Sequence, residues 1–226
     1  MHVRLHNALV LVVAVLPAGK LKNALLRRLG WAIGDGAHIG PSLVLNVGRV
    51  EIGDDAWIGS FNVLKDLAAL TLEASAIIGN WNWVTAAVPL REAGAPCLLH
   101  LGAHAAITSR HYFTCSGGIR VGKYTSIGGV RSTFISHQIS WKSSDQTCRP
   151  IEIGEYCLIT SNVKIAPGTV IGDRVVVGMG ATIAGKLLEP GLYVQPRATL
   201  VKADLDGEYF RRTEGRVWTF LVPNSA

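Results

Sequence analysis

Between Ile151 and Gly185 an aliphatic residue returns at every sixth position: Ile153, Ile159, Ile165, Ile171, Val177 and Ile183. Glycine follows directly at Gly154, Gly172 and Gly178. A helix repeats its apolar face about every 3.6 residues and a strand about every two, so a stride of six belongs to neither. It marks a β-solenoid built from hexads. Each hexad supplies a short strand with its aliphatic side chain inward, then a tight turn that small residues suit. Three hexads close one triangular coil, so the chain returns to the same place after about eighteen residues.

The stride extends back through the chain in shorter stretches. Ile33, Ile39 and Leu45 form the first, and Ile52, Ile58, Leu64 and Leu70 the second. Leu72, Ile78, Val84 and Leu90 continue, followed by Ala95, Leu101, Ile107, Phe113 and Ile119, then Val121, Ile127, Thr133 and Ile139. Slips of one or two residues separate the stretches and are absorbed at corners. Residues 31–200 therefore read as one solenoid of about nine coils, roughly 40 Å long at one strand spacing per coil. Its largest interruption is the polar loop 136–150, SHQISWKSSDQTCRP. Residues 201–226 lose the repeat, and their charged run from Glu208 to Trp218 reads as a terminal cap.

Residues 1–30 are of different character. The apolar run Ala8 to Leu16 is too short to span a bilayer, which takes about twenty residues. No A-x-A cleavage site follows it, so it does not read as a signal peptide. Beyond Pro17-Ala18-Gly19, Leu21, Leu25, Leu26 and Leu29 fall on one helical face, with Lys20, Lys22, Arg27 and Arg28 around it. Such a segment either caps the open end of the solenoid core or lies on a membrane surface, and the two are compatible. The net charge of +6 favours anionic partners. No basic run interleaved with aromatics lies along the coils, which argues against nucleic acid.

The four cysteines, Cys97, Cys115, Cys148 and Cys157, have neither a CxxC pair nor zinc-ligand spacing. Cys97 and Cys115, eighteen residues apart, should stack on adjacent coils as free thiols in a reducing cytoplasm. Two of the seven histidines stand out. His111 and His137 share one offset, four after Ile107 and Thr133, and His137 opens the large loop, the kind of segment on which binding and catalytic groups concentrate. A histidine near its ordinary pKa of about 6.5 can serve as a general base at neutral pH. Ser136, Ser132 and Asn162 are candidate donors to an oxyanion formed beside such a base. Asp145, in the loop, is the candidate to hold the imidazole tautomer.

The run Ser109 to Ser140, SRHYFTCSGGIRVGKYTSIGGVRSTFISHQIS, resembles the corresponding region of hexapeptide-repeat saccharide O-acetyltransferases, the colanic-acid and maltose or galactoside group. The resemblance spans about residues 30–190. It implies a left-handed parallel β-helix, acetyl-CoA or another acyl-CoA as co-substrate without a metal, and a homotrimer with sites between subunits. It places the catalytic base at His137, although Gln138 replaces a commoner small polar residue; His111 remains the second candidate on its offset alone. It places the cofactor along a groove lined by Asn162, Met179, Gly180, Ala181, Ala184 and Gly185, with Lys186 and Arg197 meeting phosphates. The family's G-N-P-A-K step is absent, and Val194-Gln195-Pro196-Arg197-Ala198 stands in its place. The implied acceptor is a saccharide hydroxyl, lipid-linked if residues 1–30 touch membrane. The alternatives are N-acylation of an amino sugar, a γ-carbonic-anhydrase-like site using His100, His104 and His111, and a non-catalytic scaffold.

Overall fold

The computed structural model describes residues 2–196, 198–201, 203–204 and 207–213. The chain divides into two compact units, one up to Gln195 and one from Pro196. The first is a left-handed parallel β-helix with three faces. One sheet has eight strands, from Ala32–Ile33 to Lys186–Leu187; a second has eight, from His38–Ile39 to Gly191–Tyr193. A third has seven, from Leu43–Leu45 to Thr182–Ile183. That makes seven complete coils and part of an eighth, fewer than the nine expected. The reason is coil length. Ile33 pairs with Ile52, Ile52 with Leu72 and Leu101 with Val121, so most coils exceed eighteen residues. The surplus lies in the first sheet, where single strands bury two side chains: Leu70 with Leu72, Leu99 with Leu101, Ile119 with Val121. Residues i and i+2 share one face of a strand, so the two-residue slips sit inside strands, not at corners.

Four positions of the expected stride move. Val44 and Phe134 are buried where Leu45 and Thr133 were expected inward. Leu90 lies on a short helix, Val88–Glu92, inserted between the third and fourth coils, and Ile139 is exposed on a hairpin inserted between the fifth and sixth. Glycines that follow inward aliphatics have a steric cause. A Cβ on Gly122 would stand 2.5 Å from the carbonyl carbon of Gly154 on the next coil. Many corner residues take left-handed φ despite having side chains, among them Phe61, Trp81, Tyr124 and Tyr156. Ring stacking offsets part of that backbone cost, because the coil spacing of about 4.8 Å is also a stacking distance. Phe61 lies 4.6 Å from Trp81, and Tyr124 5.0 Å from Tyr156.

The N-terminal segment forms two helices, α1 (His2–Ala14) and α2 (Lys20–Arg28), which close the first coil. Val10, Ala14 and Leu26 join the solenoid core. The buried face of α2 is only partly the expected leucine stripe: Leu26 is buried and Leu29 packs on the core, but Leu21 is 72% exposed, whereas Lys22 is only 2% exposed. The Lys22 ammonium donates to Ala14 O (2.7 Å), Leu16 O (3.0 Å) and Gly40 O (2.9 Å), satisfying the end of α1 and a solenoid corner together. Burial pulls its pKa down to about 8. Arg27 adds bonds to Ile33 O and Gly34 O. Cys97 and Cys115 are buried and free, as expected. In the second unit Glu208–Arg211 is helical, and most of the expected tail cap lies outside the described residues.

Candidate active site

At the corner between the second and third sheets a side-chain ladder climbs the solenoid. Asn62 N–H donates to Ser42 Oγ, Asn82 N–H to Asn62 Oδ1, and His111 N–H to Asn82 Oδ1. Ser132 N–H then donates to His111 Nδ1 at 3.2 Å, and Val163 N–H to Ser132 Oγ at 3.1 Å. His111 is thus one rung among asparagines and serines. With Nδ1 accepting, its proton sits on Nε2 and meets Thr108 Oγ1 at 3.0 Å. The ring is 2% exposed, and burial pushes its pKa down to about 4. Both nitrogens have partners, so the structure gives His111 a structural place rather than that of a reactive base. Ser132 is likewise committed, its hydroxyl donating to Thr160 O.

The corner between the third and first sheets differs. Here the chain leaves the Thr133–Ile135 strand and extrudes a hairpin, His137–Ile139 paired antiparallel with Gln146–Cys148. Its feet are clamped: Arg149 N–H donates to Ser136 O, and Ile151 N–H to Gly118 O. Ser136, fully buried beneath, accepts from Gly117 N–H at 2.9 Å and donates to Thr114 O. Its one hydroxyl proton is therefore taken, which corrects its expected role as oxyanion donor. His137 is the first residue of the hairpin, opposite Cys148. Its ring is half-buried, with Nδ1 sealed and unpartnered among the described residues. Asp145 is not beside it. That residue sits at the exposed tip, where its carbonyl accepts from Ser140 N–H, roughly 10 Å along the hairpin from His137 at strand rise. An orienting carboxylate must touch the imidazole, so that expectation fails on distance. Trp141, 87% exposed, also stands at the tip.

The expected cofactor residues divide between two corners of the seventh coil. Met179 is exposed and Gly180 half-buried at the corner between the second and third sheets, above Ser161 and Asn162: Gly180 N–H donates to Ser161 O at 3.0 Å. Ala184, Gly185 and Lys186 lie exposed at the other end of the Thr182–Ile183 strand, in the column from which His137 emerges two coils earlier, about 10 Å along the axis. Together they flank the outer face of the third sheet. Ala181 is buried in the core, so its side chain cannot line a groove. Asn162 stands at the far corner, a strand's length from His137. Arg197 lies outside the described residues. The alternative metal set does not assemble. His100 pairs with Glu73 at 3.0 Å, His104 stacks on Tyr124 and His111 is sealed in its ladder. Among the described residues no cluster of three or more His, Cys, Asp or Glu is placed to hold a metal ion.

Coil, corner and hairpin together define a left-handed parallel β-helix with a histidine at the base of its extruded loop. Residues 150–185 match the family described as bacterial transferase hexapeptide (six repeats). The chain is similar to the "Putative colanic acid biosynthesis acetyltransferase WcaF" of Escherichia coli (strain K12) and to its namesake in Shigella flexneri, 28% identical over 160 residues in each case. The match covers 70% of this chain but spans only 62% of the length of those relatives. Its fold is also that of a hexapeptide-repeat-containing acetyltransferase from Vibrio cholerae O1 biovar eltor, solved with acetyl coenzyme A. That likeness has a TM-score of 0.51 and 16% identity, over 91% of this chain and 88% of that one.

Proposed function

We propose that the protein is an acyl-CoA-dependent O-acyltransferase, using acetyl-CoA, that modifies a saccharide hydroxyl with His137 as general base. The similarity to named acetyltransferases supports the class. The observation that carries the site is His137 itself: a half-buried residue whose Nδ1 has no hydrogen-bond partner among the described residues, fixed at the clamped foot of the loop. In this reading its bare Nε2 takes the acceptor's hydroxyl proton as the oxygen attacks the thioester carbonyl. The imidazolium then returns that proton to the departing thiolate, so no metal and no acyl-enzyme is needed. Met179, Gly180, Ala184 and Gly185 offer a small-residue wall for the pantetheine arm, and Lys186 a point charge for a phosphate. Three copies would place this wall opposite a neighbour's loop. The exposed apolar row on α1, Leu5, Leu9 and Val12, suits peripheral contact with the inner face of a membrane and hence a lipid-linked acceptor.

The decisive measurement is free-thiol release from acetyl-CoA with a panel of saccharide acceptors. His137→Ala should lower the rate by roughly a hundredfold or more, with an unchanged thermal shift on adding coenzyme A. Wild-type rates in that variant would refute the assignment.

A further inference from the structure

Among the described residues three buried side-chain polar atoms lack a hydrogen-bond partner: Asn23 Oδ1, Thr114 Oγ1 and His137 Nδ1. Such atoms bear a desolvation cost that nothing returns, so each calls for an explanation. Two of the three belong to one corner. Thr114 ends the Tyr112–Thr114 strand and stands in register with Ile135, two residues before His137. Ser136 N–H donates to Thr114 O at 3.1 Å, and the Ser136 hydroxyl donates to the same carbonyl. The residue beside His137 is therefore tied directly to Thr114. Along this strand Phe113 points inward, so Thr114 shares the outer side with Tyr112. Yet Thr114 is only 6% exposed while Tyr112 is open. A hydroxyl has been covered at this corner without being given a partner.

We propose, resting on the reading of His137 as the base, that Thr114 is a positioning residue whose Oγ1 accepts the Nδ1–H of His137 when substrate is seated. The imidazole is then held in the tautomer that leaves Nε2 free to take a proton. A ring nitrogen's partner selects the tautomer, and hydrogen bonds of this kind commonly close only in the substrate complex. Neither of the other two candidates offers His137 this service, since Asp145 sits at the hairpin tip and Ser136 is fully used.

The test compares Thr114→Val, Thr114→Ser and His137→Ala in the full-length chain, by thiol release from acetyl-CoA with a p-nitrophenyl glycoside and by thermal melting. Thr114→Val should melt at or above the wild-type temperature, because it removes an orphaned hydroxyl at constant shape. It should nevertheless lose roughly ten- to a hundredfold in kcat, with the KM for acetyl-CoA unchanged. Thr114→Ser should restore turnover. Nitrogen-15 shifts of His137 with coenzyme A and glycoside bound should report Nδ1–H in the wild type and a tautomer mixture in Thr114→Val. Wild-type kcat in Thr114→Val beside an inactive His137→Ala overturns this proposal alone. An active His137→Ala overturns the base assignment and this proposal with it. Loss of melting temperature and activity together, without rescue by serine, would mean a packing role and also overturn it.

Discussion

His111 and His137 have the same side chain and opposite surroundings. His111 is held by Ser132 N–H and Thr108 and is buried, so its folded-state pKa falls to about 4 from the ordinary 6.5. Between pH 6.5 and 4 the unfolded chain binds a proton that the folded chain refuses, so stability falls as pH drops through that window. Fully across it the loss is about 3 kcal/mol. Asn62 and Asn82 occupy the rungs below, each offering Oδ1 to the next coil's N–H. His111→Asn should therefore keep most of its stability at pH 7, within about 1 kcal/mol, and lose the drop between pH 7 and 5. Urea titrations at the two pH values check this; an undiminished acid loss would show that another group carries it. The equal hexad offset that made both histidines candidates does not hold, because Phe134 rather than Thr133 is the inward residue before His137. Their division into rung and free ring was not legible in the sequence, because it depends on which backbone N–H the neighbouring coil presents.

At the scale of elements, the N-terminal helices illustrate how a charge can be built into a core end. Lys22 would be read from periodicity as a solvated flank of the leucine stripe. It is buried because α1 and the first coil present three carbonyls that one ammonium can satisfy, each within 3.0 Å. Lys22→Met supplies volume but no donor and leaves those carbonyls unpaired. It should destabilise the fold by roughly 3 kcal/mol or more, seen as a lower melting temperature and earlier proteolysis within residues 1–30. An unchanged melting temperature would mean that water replaces the ammonium. The hairpin is the complementary case. Polarity and the broken stride located it in the sequence, but its clamp does not read out, since Ile151 N–H meets Gly118 O only once the coils are stacked.

For the whole molecule, the contrast lies between a rigid frame and its apolar outer row. Leu5 and Val12 are each 61% exposed on the outer side of α1, while Val10 and Ala14 on the inner side belong to the core. Deleting α1 would therefore confuse membrane release with loss of packing. The triple variant Leu5→Ser, Leu9→Ser, Val12→Ser leaves the inner side intact. It should abolish co-sedimentation with vesicles of phosphatidylglycerol and phosphatidylcholine at an unchanged melting temperature; binding equal to wild type would remove the membrane reading. No helix of the described residues is long and apolar enough to cross a bilayer, so contact of this kind would be peripheral. The six-residue stride by itself determined the solenoid, most of its inward aliphatics and the position of the loop, because burial along a strand is a local, periodic demand. Only the tertiary structure decided the coil length, the burial of Lys22, the rung at His111 and the two unpartnered atoms at Thr114 and His137. Each of those depends on which groups meet when separate elements stack, as Lys22 meets Gly40 across 18 residues and His111 meets Asn82 across 29, which no local pattern encodes.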